Sequence, residues 1–225
     1  MTRTIHTPEE IAAVFTEKFG DAIGEVTIRE WAEGLKKTPN RAVWIRMSRD
    51  IFHDAVQCLV DIDYPHLGVI SGADIGDEIE LLYHMWIYFG ERGQEIKVTL
   101  AVPLQKSDLS IPTISDIIPG AVYSEREKQE MLGIKVAGIP DSRGLFLPPD
   151  FPEGVYPWRK DETGIREDMV KNLWAVGRPT DRPAPPVTPK EEKKKEHEAE
   201  PAPAGDTPEQ SPPAEPETGE VKNDE

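Results

Sequence analysis

The chain has 225 residues and a formal net charge of −16, from 42 Asp and Glu against 26 Lys and Arg. This acidic balance argues against sequence-independent binding of DNA or RNA, which depends on clustered positive charge. The single cysteine, Cys58, excludes an intramolecular disulfide framework, a Cys-ligated iron–sulfur cluster and a two-cysteine zinc site.

The first element is a helix with a clear start and stop. Thr7 is a capping residue, Pro8 takes the first helical position, and Glu10 completes a capping box. Apolar residues then recur at helical spacing as far as Phe19, and Gly20 ends the pattern.

Two strands and a second helix follow. A short alternating run over residues 26–28 predicts a strand, Pro39-Asn40 predicts a turn, and residues 41–48 predict a second strand. Ser48 can cap a helix that runs to about Val60, with Ala55 and Leu59 on its apolar face.

Three more strands complete the first hundred residues. They are predicted over residues 67–71, 79–88 and 96–102, and residues 90–93 form a hairpin connection between the last two. The order α-β-β-α-β-β-β predicts an α+β fold, with a mixed or antiparallel sheet and helices packed on one face.

After Pro103 the chain is rich in Pro, Gly and charge. A helix is predicted over residues 124–132, ended by Gly133, then an extended Pro-rich segment over 134–157, and a last amphipathic helix from Ile165 to Trp174. The extended segment still carries aromatic residues that need a surface to cover, which the domain or another subunit could supply.

The composition predicts three regions. Residues 1–103 form the α+β domain, and residues 104–179 form an extended arm. The last 46 residues, 180–225, contain 10 Pro, 13 acidic residues and no aromatic residue. Such a segment cannot bury enough apolar surface to offset the entropy of ordering it, so we expect a disordered tail.

Neither a membrane span nor a secretion signal is expected. The longest strongly apolar run, residues 81–89, is shorter than the roughly 20 residues a spanning helix needs. The N-terminal residues lack the apolar core of a signal peptide.

The usual catalytic and nucleotide-binding motifs are missing from the sequence. No two of the five His residues have the i, i+4 spacing that would place two metal ligands on one helical face. His84 is expected to be a core or edge residue of a strand, because no catalytic partner lies near it in sequence. Cys58 is expected to pack as a small buried hydrophobic residue.

The densest charged cluster opens the predicted helix at Glu125. Two carboxylates on one helical face, such as Glu127 and Glu130, could perform acid–base chemistry or bind a cation. The alternative is a solvated face, or a face that pairs with arginines of a partner, and we favour it because no nucleophile or cofactor loop lies nearby. Asp141, Arg143 and further charges among prolines and aromatic residues suit a protein interface.

At these residues the sequence resembles a known family, the 30-kDa subunit of respiratory complex I. The resemblance is carried in order by Glu125-Arg126-Glu127-x-x-Glu130-Met131-Leu132-Gly133-Ile134, Gly138-Ile139-Pro140-Asp141-x-Arg143, and Asp150-Phe151-Pro152-Glu153-Gly154-x-Tyr156-Pro157-x-Arg159-Lys160-Asp161. The family usually has His or Lys in place of Ile139, and often a second basic residue in place of Gly144. These departures look more like the equivalent subunit of membrane-bound nickel–iron hydrogenases and archaeal sulfane reductases.

The resemblance implies a subunit without redox cofactor, metal or catalytic residue of its own. It would sit peripherally on the cytoplasmic face of the membrane, where its C-terminal segment wraps over the large catalytic subunit near the small iron–sulfur subunit. The implied partner-interface residues are Glu125, Arg126, Glu127, Glu130, Asp141, Arg143, Asp150, Tyr156, Trp158, Arg159, Lys160 and Asp161.

Other functions stay open at this stage. The chain could be the C-type subunit of an NADH- or other donor:quinone oxidoreductase, that is, of complex I proper, rather than part of a hydrogenase-like complex. It could also be a small enzyme that uses the face of Glu125, Glu127 and Glu130, or a free adaptor whose acidic tail recruits partners.

Overall fold

A computed structural model describes residues 4–91 and 93–169. The first helix, α1 (Pro8–Phe19), starts with the predicted capping box. The Thr7 hydroxyl accepts a hydrogen bond from the Glu10 N–H at 3.2 Å, and the Glu10 carboxylate accepts one from the Thr7 N–H at 2.8 Å. Ile11 and Phe15 are fully buried, so the apolar stripe packs α1 onto the sheet.

Five strands form one mixed sheet. They are β1 (Ile23–Glu33), β2 (Thr38–Met47), β3 (His66–Asp74), β4 (Glu78–Ile87) and β5 (Ile96–Gln105), in the spatial order β1-β2-β5-β4-β3. Strands β2 and β5 are parallel, and the other neighbouring pairs are antiparallel. This confirms the predicted α+β class and the order of the first seven elements.

The prediction of a turn at Pro39-Asn40 is wrong, because both residues lie in β2. The chain turns between β1 and β2, where Gly34 and Lys37 have positive φ angles of 71° and 48°. Pro39 instead lies in β2 opposite Ala32, at an end of the strand where pairing with β5 has not yet begun. A proline, which has no N–H, is tolerated there because no strand on that side needs its donor.

The second helix, α2 (Phe52–Ile62), follows a 3₁₀ turn over Arg49–Ile51. The Ser48 hydroxyl accepts from the Asp50 N–H at 3.4 Å and so caps this 3₁₀ turn, whereas α2 itself begins after Ile51 without a side-chain cap. Ala55, Val56 and Leu59 are fully buried. Cys58 is also buried, as predicted, and desolvation raises the pKa of its thiol.

The core lies on the helix-bearing face of the sheet. Alternate residues of β4, from Ile79 to Ile87, are buried and share one apolar cluster with residues of the helices. The Phe52 ring of α2 lies 4.4 Å from the Tyr83 ring of β4, centroid to centroid. The intervening residues of β4 face the other side of the sheet and are only half-buried.

The C-terminal part of the described chain begins with β6 (Ser110–Pro112), α3 (Ala121–Leu132) and β7 (Lys135–Ala137). Strands β6 and β7 form a parallel two-stranded sheet that the sequence did not predict, because three residues are too few to show an alternating pattern. Helix α3 starts three residues before the predicted Ser124 and ends at Gly133, as predicted.

Beyond β7 the described chain has one further regular element, a 3₁₀ turn over Glu167–Met169. The predicted helix Ile165–Trp174 lies largely outside the described residues, and the predicted tail over 180–225 lies wholly outside them. No helix within the described residues is long and apolar enough to cross a membrane.

Candidate partner interface

The charged residues that open the family-like segment lie inside the molecule. Glu125 is 1% exposed, and its carboxylate accepts hydrogen bonds from the Thr113 hydroxyl at 2.6 Å and the Ile114 N–H at 2.8 Å. Because α3 starts at Ala121, Glu125 lies more than one turn inside the helix and faces the loop after β6. Burial raises the pKa of this carboxyl. Its contacts tie α3 to that loop.

Arg126 and Glu130 hold the backbone of the arm. The Arg126 guanidinium donates to the carbonyl oxygens of Arg143 at 2.8 Å and Gly144 at 2.9 Å. The Glu130 carboxylate accepts from the N–H groups of Leu145 at 2.7 Å and Phe146 at 2.8 Å. Two side chains of one helix therefore satisfy four backbone groups of a segment that has no strand partner.

Asp141 joins a buried and an exposed arginine. Its carboxylate lies 3.2 Å from the Arg126 guanidinium, which is 10% exposed. It also accepts two hydrogen bonds from Arg143, at 2.9 and 2.8 Å, and the Arg143 side chain is 84% exposed. These hydrogen bonds from Arg143 hold the pKa of Asp141 well below its usual range. The turn at Asp141 thus presents one arginine to solvent.

A second set of charges, the clasp, fastens the arm to the sheet. The clasp consists of Asp74 at the end of β3, Lys106 after β5, and Asp161 of the arm. The Lys106 ammonium donates to Asp161 at 2.6 Å and to Asp74 at 2.9 Å, and the Lys160 N–H donates to Asp74 at 2.8 Å. The hydrogen bond from Lys106 lowers the pKa of Asp161. The clasp fixes where the arm crosses the end of β3.

The arm is held at two anchors, namely the contacts of Arg126 and Glu130 at one end and the clasp at the other. Between these anchors the arm lies against the end of α3. Arg159 is almost buried and donates to the Leu132 carbonyl at 2.7 Å, and the Trp158 N–H donates to the Met131 carbonyl at 3.0 Å. The Tyr156 ring packs directly on Gly133. The residues from Tyr156 to Arg159 therefore satisfy carbonyl groups that the helix end leaves without partners.

The predicted interface residues consequently fall into two groups. The first group bonds or packs within the chain: Glu125 holds the loop after β6, Glu127 pairs with Lys128, and the path of the arm is fixed by Arg126, Glu130, Asp141, Tyr156, Arg159 and Asp161. Arg143, Asp150, Trp158 and the neighbouring Lys160 are exposed. Phe146 is one of the aromatic residues of the arm that were expected to need a covering surface, and it is 61% exposed where Glu130 holds the arm. The described chain does not cover this ring, so a surface of another subunit is left as the expected cover.

The three glutamates of the alternative catalytic hypothesis have different neighbours. Glu125 accepts from Thr113 and Ile114, Glu127 pairs with Lys128, and Glu130 accepts from the arm backbone. Within residues 4–91 and 93–169, no group of three or more His, Cys, Asp or Glu side chains is placed to hold a metal ion. Glu125 and Glu130 hold separate backbone segments against α3, and Glu127 pairs with the side chain beside it.

His84 has partners that its sequence neighbourhood does not reveal. It lies on β4, one strand in from the edge, with Nε2 2.9 Å from the Ser71 hydroxyl of β3 and Nδ1 3.2 Å from the Thr99 hydroxyl of β5. Burial lowers its pKa, and the positive charge of Lys97 adds to that effect. The cross-strand register supplies both partners, and that register is not visible in the sequence around His84.

Comparison with known proteins places this arrangement in context. Residues 45–167 match the family described as the respiratory-chain NADH dehydrogenase, 30 Kd subunit. The chain is 35% identical over 165 residues to the beta subunit of the membrane-bound hydrogenase of Pyrococcus furiosus, a match that covers 73% of this chain and 91% of the relative. It is 32% identical over 162 residues to the C-type subunit of the NADH-quinone oxidoreductase of Chloroherpeton thalassium, covering 68% of this chain and 60% of the relative.

A solved structure shares the fold. It is a chain of the membrane-bound sulfane sulfur reductase, an archaeal respiratory membrane complex, with a TM-score of 0.57 and 23% identity. The match covers 78% of this chain and 98% of the other.

Proposed function

Because the chain belongs to the family of the 30-kDa subunit of the respiratory-chain NADH dehydrogenase, we propose that it is a structural subunit of a membrane-bound respiratory oxidoreductase complex. The hydrogenase-like branch is favoured, because the match to the beta subunit of a membrane-bound hydrogenase extends over nearly the whole of that relative. The C-type subunit of an NADH-quinone oxidoreductase is the alternative within the same family.

The observation that carries the proposal is the way the arm is held. Buried charges of α3 and the clasp satisfy the backbone of the arm, while Arg143, Phe146 and Trp158 remain exposed along it. Aromatic and arginine side chains on a fixed backbone are typical anchors of protein interfaces. A stiff arm loses less conformational entropy on binding than a free one.

In the proposed complex the arm contacts the large catalytic subunit and the small iron–sulfur subunit. The chain then stabilises their assembly, on the cytoplasmic face of the membrane, while the partners carry the electrons. We assign no cofactor to this chain. Two observations support this proposal. The chain belongs to the family, and charged residues of the family-like segment form hydrogen bonds with backbone groups.

The test is to replace one exposed aromatic side chain of the arm without disturbing the fold. Phe146→Asp places a charge on a side chain that is 61% exposed and leaves the backbone bond to Glu130 in place. We expect the amount of this subunit retained in the purified membrane complex to fall at least about tenfold, as for loss of an interface hot spot. The melting temperature of the free chain should stay the same.

Leu35→Asp is the matched control. Leu35 is fully exposed in the turn between β1 and β2, outside the family-matched residues. It should leave retention unchanged. If Phe146→Asp is retained as fully as Leu35→Asp and the wild type, the arm is not the interface.

A further inference from the structure

The two edges of the five-stranded sheet differ in their chemistry. The edge strand β1 carries charged side chains along its length, namely Glu25, Arg29, Glu30 and Glu33. The other edge strand, β3, has no charged residue and no proline from Leu67 to Ala73. Natural proteins protect free edges with charge or proline, because an unprotected edge pairs with other strands.

In the part of the chain that the structure describes, the outer side of β3 forms no ladder with a second strand, and α3 packs beside β3 near Gly72. Within the described residues, no backbone hydrogen bond joins β3 to any segment other than β4. Val69 is 45% exposed, and Gly68 and Ala73 are also exposed. Part of the hydrogen-bonding capacity of this strand is therefore available to a partner.

A groove runs beside this edge. It has a volume of about 350 Å³ and is lined by residues 69–72 of β3 and by Glu127, Lys128 and Trp158. Lys128 is 2% exposed, pairs with Glu127, and lies 4.7 Å from the centre of the Trp158 ring. The lysine charge is thus neutralised within the groove wall, which leaves a neutral and largely apolar groove.

We infer that the free edge of β3 receives an extended, uncharged strand of a partner subunit, which continues the sheet by one strand. The backbone N–H and C=O groups of an edge strand can form a ladder with an added strand. A neutral groove beside that edge favours an added strand whose side chains are uncharged. The inference rests on the proposed function, because it names how the partner of the arm is engaged.

The strand belongs to the partner subunit that contacts Trp158 of the arm. A strand of a few residues buries less area than a stable interface needs, so it must be part of a larger contact. Trp158 supplies the connection, because it lines the groove and belongs to the arm between its two anchors. Residues 180–225 of this chain are a poorer candidate, since their prolines and acidic residues suit neither a ladder nor a neutral groove.

The first experiment charges the edge. In the membrane complex, Val69→Lys combined with Ala73→Lys should lower retention of the subunit at least about tenfold, while Thr27→Lys combined with Ala32→Lys on β1 should leave it unchanged. Thermal unfolding of the free chains shows whether each variant is folded. Full retention of a folded Val69→Lys, Ala73→Lys chain would overturn the inference.

The second experiment does not depend on a disruptive change. Because Cys58 is buried, Val69→Cys creates one accessible thiol, to which a photo-activated cross-linker is attached in the assembled complex. We expect mass spectrometry to find a cross-link to an uncharged extended segment of the large or small subunit. A cross-link to a second copy, to residues 170–225 of the same chain, or to nothing in a fully retained subunit would refute the strand addition.

These results separate the two proposals. If the wild-type chain does not purify with a membrane oxidoreductase complex, the proposed function fails and this inference falls with it. If the wild type is retained and the β3 variants are retained equally, only the strand addition fails.

Discussion

The carboxylate of Glu125 lies in the interior with two donors, the Thr113 hydroxyl and the Ile114 N–H. Burial raises its pKa, so the folded state binds its proton more tightly than the unfolded state does. The contribution of this group to stability is therefore greatest below the ordinary carboxyl pKa. It decreases as the pH rises from that value through the folded pKa.

Substitution of Glu125 tests both the hydrogen bonds and this pH dependence. Glu125→Ala leaves the Ile114 N–H without an acceptor, removes one of the two side-chain partners of the Thr113 hydroxyl, and should lower the free energy of unfolding by about 2–4 kcal/mol at pH 7. Glu125→Gln keeps one acceptor oxygen and should lower it by about 1 kcal/mol. Urea unfolding between pH 5 and 7 should show the difference between wild type and Glu125→Gln shrinking as the pH rises.

Glu17→Gln, on the exposed side of α1, is the control and should change stability little at any pH. A difference between wild type and Glu125→Gln that grows from pH 5 to 7 would contradict the assigned direction of the pKa shift.

At the scale of elements, Gly133 decides how α3 meets the arm. It ends α3 with a φ of 72°, and its N–H donates to the Gln129 carbonyl at 3.1 Å. A Cβ at this position would lie 2.7 Å from the Tyr156 ring. The glycine thus both permits the left-handed cap and lets the arm pack against the helix end.

Gly133→Ala should therefore lower the free energy of unfolding by more than the cost of placing alanine at a positive φ angle alone. We expect the free energy of unfolding to fall by about 3 kcal/mol, against about 1 kcal/mol for Gly34→Ala. Gly34 is a matched control, because its φ is 71° and a Cβ there would meet no atom within 4 Å. Equal losses in chemical denaturation would show that the Tyr156 contact contributes nothing.

At the scale of the whole molecule, the clasp couples segments that are far apart in sequence. Lys106 and Asp161 are 55 residues apart, and the Lys160 N–H bonds to Asp74 across 86 residues. The pKa of Asp161 is lowered by the hydrogen bond from Lys106, and the pKa of Asp74 is lowered as well. Stability from these carboxylates is present above their ordinary pKa and is lost as the pH falls through the folded values, opposite in sign to Glu125.

Truncation tests whether residues 180–225 belong to the folded unit. The sequence predicts that they bury little apolar surface, so their deletion should change the free energy of unfolding by less than about 0.5 kcal/mol and leave the urea m-value unchanged. Deletion of residues 156–225 removes Tyr156, Arg159 and Asp161 as well and should lower the unfolding midpoint clearly. A lower m-value in the shorter deletion would contradict the predicted tail.

Much of the fold was predictable because its signals are local. The capping box of Thr7 and Glu10, the helix stop at Gly133 and the alternation from Ile96 to Val102 each involve residues within a few positions of one another. Those patterns predicted the α+β class and the order of its elements. The family could also be predicted, from a run of matching residues, and the comparisons confirm it.

The tertiary structure decided what local patterns cannot encode. It placed β5 beside β2, brought two hydroxyls to His84, and turned Glu125 and Arg126 inward, where they bond within the chain. Helical and strand periodicity specifies which residues share a face, but not which distant backbone groups lack a partner. The buried charges of the family-like segment meet that second requirement, which arises only when α3 packs beside the loop after β6 and the arm crosses α3 and the end of β3.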